Sequence, residues 1–233
     1  MCRAIRPIIV LMSLALLVPP ATGSDAPHAD SASAVSRERL MEFWDTYDIS
    51  SMHYGAYGVP SRIVGYFGRV DSTGSAVNAA IGFVEANRDI FRMSDPQAEL
   101  KLERNETDSL GGEIVLLQQV CLGLPVVDGR LEFIFDPGGS MEVITCRYFP
   151  DVKAPVKPVI DSLSAISIAS DSAAVTPSSP GIKCGLCILP HAGKFSLVWQ
   201  IDRTDRKGET TTKYVDATSG AIVLRESPAK RTD

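Results

Sequence analysis

The side chains best suited to chemistry in this 233-residue chain are three histidines, His28, His53 and His191, and the pair in Cys184-Gly185-Leu186-Cys187. Metal-assisted hydrolysis of the His-Glu-x-x-His kind needs two imidazoles four residues apart, with a carboxylate beside the first to activate water. No histidine here is followed by Glu, and no two lie near each other in sequence. A Gly-x-Ser-x-Gly elbow for a nucleophilic serine is also absent. His53, beside Tyr54, reads as a loop residue, and His191 falls in a Pro-His-Ala-Gly-Lys turn, so both are expected to be solvated. No catalytic, cofactor-binding or metal-binding residue is assigned. The chain is expected not to be an enzyme.

Cys184 and Cys187 would suit thiol–disulfide exchange if a helix N-terminus came after them and lowered the first thiol's pKa. Their C-terminal neighbours are Ile-Leu-Pro-His-Ala-Gly-Lys and another apolar run, hence a turn and a strand. In a regular strand, residues three apart point to opposite faces. Cys184 then shares a face with Ile182, Leu186 and Ile188, and Cys187 faces away; a strained bridge would need Gly185 to open a turn. Cys121 and Cys146 fall on strands that flank a third. Two strands apart is about 10 Å, beyond disulfide reach unless the strand ends converge. A zinc site from all four thiols would have to span two separate units and is not expected. Asn105-Glu106-Thr107 is a glycosylation sequon, relevant only in a eukaryotic secretory route.

The elements that would carry these residues begin after an export signal. Arg3 and Arg6 precede an apolar run over 8–18, Pro19 and Pro20 break it, and Ala21-Thr22-Gly23 offers small residues to a signal peptidase. This pattern predicts cleavage after Gly23 and a secreted or periplasmic protein. The run is too short to span a bilayer, and Cys2 precedes it, which excludes a lipoprotein signal. A formal charge of −5 without a basic stripe argues against a nucleic-acid partner.

A small, polar and disordered lead is expected after the signal, then a short amphipathic helix capped by Ser36. Its Leu40, Phe43, Trp44 and Tyr47 fall on one face that must dock. Residues 55–70, rich in Gly and β-formers, read as extended chain. Val77, Ala80, Ile81, Val84 and Phe91 mark a longer helix, started by Ser72 or Ser75 and ended by Pro96. Strands are predicted at 99–103, 113–121, 126–135 and 141–149, with a turn at 136–139. Pro150, Pro155 and Pro158 mark a linker. A weak helix with Leu163 and Ile166 comes next, then four more strands, with a turn at 216–220 between the last two. The fold class is α+β: two small modules, each a helix packed on an antiparallel sheet.

Several phrases, taken in order, resemble a known precursor. "GVPSRIVGYFGRV", "AAIGFVEANRDIFRMSDPQAELKL" and "LLQQVCLGLPVVDGRLEFIFDPGGSMEVI" are similar to the fungalysin/thermolysin propeptide (FTP) domain of thermolysin-like metalloproteases. Gln118, Gln119, Gly123, Pro125 and Val126 match the family phrase, and Val120-Cys121 stands where an aromatic is common. "LVWQID" and "YVDATSGAIV" resemble a PepSY domain through Trp199, Tyr214, Val215, Asp216, Gly220 and Ile222. The residues themselves give a signal peptide over 1–23, a disordered lead and short helix over 24–52, a Pro-rich linker over 151–158 and a polar tail over 226–233; the resemblance implies an FTP-like, cystatin-like module over 53–150 and a PepSY-like module over 159–225. It also implies a non-catalytic protein that inhibits or chaperones a thermolysin-like metalloprotease. With no catalytic domain before Asp233, that protease is expected in trans. A cell-envelope binding module without a protease partner is the alternative, and a thiol oxidoreductase using Cys184 and Cys187 the second. The residues themselves assign Gln118 and Gln119 to strand-end hydrogen bonds, and Gly123 and Pro125 to the shape of a turn. No binding residue is assigned.

Overall fold

Ser36 sits in extended backbone and its hydroxyl accepts the Arg39 N–H, which starts helix α1 (Arg37–Thr46). This is a computed structural model, and it describes residues 35–70, 74–170 and 179–226. The signal peptide, His28, most of the polar lead, the Ser72 cap and residues 227–233 of the tail lie outside the described residues. Phe43 of α1 is fully buried, with Leu40 and Tyr47 packed beside it, but Trp44 stays 41% exposed. At 3.6 residues per turn Trp44 points about 80° away from the Phe43–Tyr47 bisector, so the docked stripe passes it by. Arg39 fastens α1 through Asp89 (2.7 Å) and the Asn87 side chain (3.0 Å).

Strands β1 (Ser51–Tyr54) and β2 (Pro60–Val64) form a hairpin in which His53 lies opposite Arg62. His53 therefore belongs to an exposed edge strand, not to the loop expected from its neighbours. Helix α2 (Ala76–Ala86) begins after Ser75, whose side chain makes no capping bond. It stops well before Pro96, because buried Asn87 donates to the Phe83 carbonyl (2.8 Å) and to the Tyr47 hydroxyl (3.0 Å). Phe91 reaches the core from the turns beyond the helix, not from the helix itself. Pro96 opens a helix instead of ending one: Asp95 caps α3 (Pro96–Glu99) and Pro occupies its first position. A proline there has no N–H to leave unpaired.

Four strands come next: β3 (Leu100–Thr107), β4 (Glu113–Cys121), β5 (Leu124–Phe135) and β6 (Met141–Arg147). With the first hairpin they give an antiparallel order β1-β2-β6-β5-β4-β3. Inward residues of this sheet, among them Val115, Leu117, Leu131, Phe133 and Ile144, pack with α1 and α2 around Phe83. Helix α4 (Ser162–Ser170) then precedes β7 (Ile182–His191), β8 (Lys194–Thr204), β9 (Thr210–Asp216) and β10 (Ile222–Glu226), which pair antiparallel in chain order. Ala165, Ile166 and Ala169 of α4 lie on Ile201 and Val215. The opposite face holds Cys187, Leu189, Val198 and Tyr214. The α+β class is what forms; β5 and β7 join the two runs of strands through one parallel pair, Val126 with Ile188, and β4 and β3 branch from β5 off that path. Among the described residues, no helix is long and apolar enough to cross a membrane.

Candidate functional site

The segment that carries the sequence resemblance closes on itself as a hairpin. Leu122 and Gly123 both have positive φ (50° and 83°) between the paired residues Cys121 and Leu124. Such a two-residue turn matches the strand twist, and Leu122 holds a conformation that glycine adopts at less cost while its side chain is 79% exposed. Pro125 lies within β5 opposite Val120, outside the turn.

Past this point the register breaks. Gln118 pairs with Arg130 but Val120 with Pro125, so residues 126–129 of β5 have no β4 partner. The Gln118 amide takes up the freed carbonyls of Val126 (2.8 Å) and Gly129 (2.7 Å). Gln119 points to the other face and is 2% exposed. Its Oε1 accepts the Phe149 N–H (3.0 Å) and its Nε2 donates to the Phe149 carbonyl (2.8 Å), so one side chain does the work of a strand neighbour. Gly129 leaves the space this needs: a Cβ there would lie 2.7 Å from Gln119 Oε1.

Two cavities flank Tyr148 and Phe149. One, of about 460 Å³, is lined by Arg92, Glu99, Cys121, Leu122 and Asp151 among others. The second, of about 400 Å³, is bounded by Tyr57, Val59, Pro60 and Cys146. The Tyr148 hydroxyl donates to Glu99 Oε2, and Glu99 Oε1 accepts the N–H groups of Ser94 (3.0 Å) and Asp95 (2.8 Å). Arg92 bridges the cavities, donating to the Tyr57 carbonyl (3.0 Å) and to Asp151 (3.2 Å). Burial, then Glu99, raises the Tyr148 pKa far above the usual phenol range. Burial pushes the Cys146 thiol up to about 12, and burial with the nearby Glu99 raises Cys121. The phenol and both thiols are therefore neutral near pH 7, and a neutral thiol is a poor nucleophile.

The remaining sequence candidates are scattered. Cys184 packs with Ile182 and Trp199 on the α4 side of β7, and Cys187 packs with Leu189 and Val198 on the other side. The β7–β8 register runs unbroken through Gly185, so no turn brings these two thiols together. Burial raises both, Cys187 to about 12. All four cysteines of the described residues are free. His191 ends β7 opposite Lys194 and is exposed, as is His53. Among the described residues, no three His, Cys, Asp or Glu side chains gather as a metal site would require. Sequence reasoning misses the Glu99–Tyr148 and Arg92–Asp151 pairs, which join residues 49 and 59 positions apart and leave no local pattern.

No family model and no curated protein matches the chain. Among solved structures it is similar to the Bacillus megaterium YpeB C-terminal domain, at 13% identity and TM-score 0.39, over 72% of this chain and 71% of that one. It is also similar to the YpmB protein from Bacillus subtilis, at 17% identity and TM-score 0.23, over 56% of this chain and 88% of that one. Likeness at this level assigns neither a family nor an activity.

Proposed function

We propose that the protein is an exported, non-catalytic propeptide-like module that inhibits or chaperones a thermolysin-like metalloprotease supplied as a separate chain. The observation that carries this reading is the Gln118–Val126 hairpin. The residues matching the propeptide phrase have their amides committed to shaping the chain, as a molecule acting by shape requires. The order of elements supports it too: helices on the β1–β6 sheet, then α4 on β7–β10, match the order of an FTP-like and then a PepSY-like module. Strand β3 adds a surface for binding. Residues 101–106 are exposed, and β3 is bonded to β4 on one side only. A free edge of this kind can accept an extended segment by main-chain pairing.

The second reading, an envelope binding module without a protease partner, is favoured by the cavity beside Tyr148. The oxidoreductase alternative draws no support from cysteines on opposite faces of β7. The test is refolding of a denatured thermolysin-like protease from the same source, with and without the purified protein. A higher yield of active protease, or inhibition of the native enzyme, supports the reading. Neither effect with any such protease rejects it in favour of the binding module.

A further inference from the structure

Phe149 stands where the two runs of strands meet. Its ring lies edge-on between Tyr57 of the β1–β2 loop (centroids 5.3 Å apart) and Phe195 of β8 (6.1 Å). With Val126 and Ile188 it forms the buried centre of a small apolar cluster, whose rim includes Leu124, Val152, Ala154 and Phe195. Main-chain pairing across this joint, among the described residues, is the single Val126–Ile188 pair. Phe149 itself lies beyond the end of β6 at Arg147, so no strand fixes it. Its N–H and carbonyl are held by the Gln119 side chain from β4. On the far side, Val159 and Ile160 donate their N–H groups to Ala217, and Trp199 donates to the Ile160 carbonyl. Residues 150–158, with three prolines and no helix or strand, are the segment in which a bend can occur.

We infer that Gln119 and Phe149 are a latch. The amide clamp places the Phe149 ring against Phe195 and so holds the β7–β10 sheet at a fixed angle to the β1–β6 sheet. Opening the clamp lets the two sheets reorient about residues 150–158 while each keeps its helix-packed core, since those two clusters share no residue, and the contact of Val127 of β5 with the other face of β7–β10 shifts with the joint. This goes beyond the protease reading and does not depend on it.

The test uses residual dipolar couplings of backbone amides, which report whether two parts of a molecule share one orientation. Gln119→Leu removes both clamp bonds while keeping a bulky side chain. Phe195→Leu keeps the clamp but removes the ring it positions, and it decides the matter should the first variant fail to fold. The wild-type couplings of β2, β4–β6 and β7–β9 should fit one alignment tensor. Either folded variant should need two, with amide protection retained in both sheets. Cleavage by trypsin after exposed Lys153, between the packed residues Val152 and Ala154, should accelerate at least about tenfold, in step with the population opened locally. A single tensor with wild-type cleavage in the folded variants, or loss of protection in both sheets together, would overturn the latch.

Discussion

The Gln119 side chain lies directly against Gly129, with no space between them for another atom. A Cβ at Gly129 would meet Gln119 Oε1 at 2.7 Å and Gln119 Cβ at 2.9 Å. Gly129→Ala should therefore displace the clamp and destabilise by about 1–3 kcal/mol, as overpacking does, read as a lower urea midpoint. The thiols give a second expectation at this scale. Burial raises Cys146 and Cys187 to about 12 and leaves them enclosed, whereas Cys121 and Cys184 are half-buried. Iodoacetamide near neutral pH should label Cys121 and Cys184 first, and the other two at the rate of unfolding. A third concerns acid. Partial burial raises the Asp216 pKa, but the Ser219 N–H and hydroxyl and the Thr218 N–H outweigh it and hold the carboxyl below its ordinary 3.8. A depressed pKa means that the bonded carboxylate stabilises the fold above the ordinary value, and that this contribution disappears as pH falls through the folded value. The Tm difference between wild type and Asp216→Ala should be steady above about pH 5 and shrink below about pH 4.

At the scale of elements, caps and turns fix the boundaries. Ser36→Ala removes the one side-chain bond that starts α1 and should cost about 1 kcal/mol, measurable by chemical denaturation. Strands are legible in the sequence where one face is buried: alternation over Arg130-Leu131-Glu132-Phe133 places β5 correctly. Strand β1 is not legible, because an exposed edge strand of four residues buries neither face fully: the polar–apolar alternation of Ser51-Met52-His53-Tyr54 is too short to mark a strand, and the observed burial does not follow it. The end of α2 is hidden for a different reason. A periodic run continues to Phe91, but the Asn87 side chain captures the Phe83 carbonyl in a network whose other partners, Tyr47 and Arg39, come from α1 and its C-cap. Pro96 has one sequence signature and two structural uses, and Asp95 before it marks the start of a helix.

At the scale of the whole molecule, the sequence points to a helix-and-sheet chain with a proline-rich joint but not to the contacts that close that joint. Gln118 and Gln119 are recognisable as hydrogen-bonding residues. Their acceptors on Val126, Gly129 and Phe149 depend on a register break and on a chain return 30 residues later. Separation along the chain likewise hides the cavity between Arg92, Glu99 and Tyr148. The functional consequence is a molecule whose buried side-chain polar atoms, among the described residues, all have partners, and whose free main-chain edges lie at strands such as β3. The measurement that meets the central claim most directly is the rate of peptide hydrolysis by a thermolysin-like protease from the same source, monitored as the purified protein is added. The account predicts that the rate falls and levels off near one chain per protease. A rate that stays unchanged in excess protein, for every such protease, with no gain in refolding yield, would contradict it.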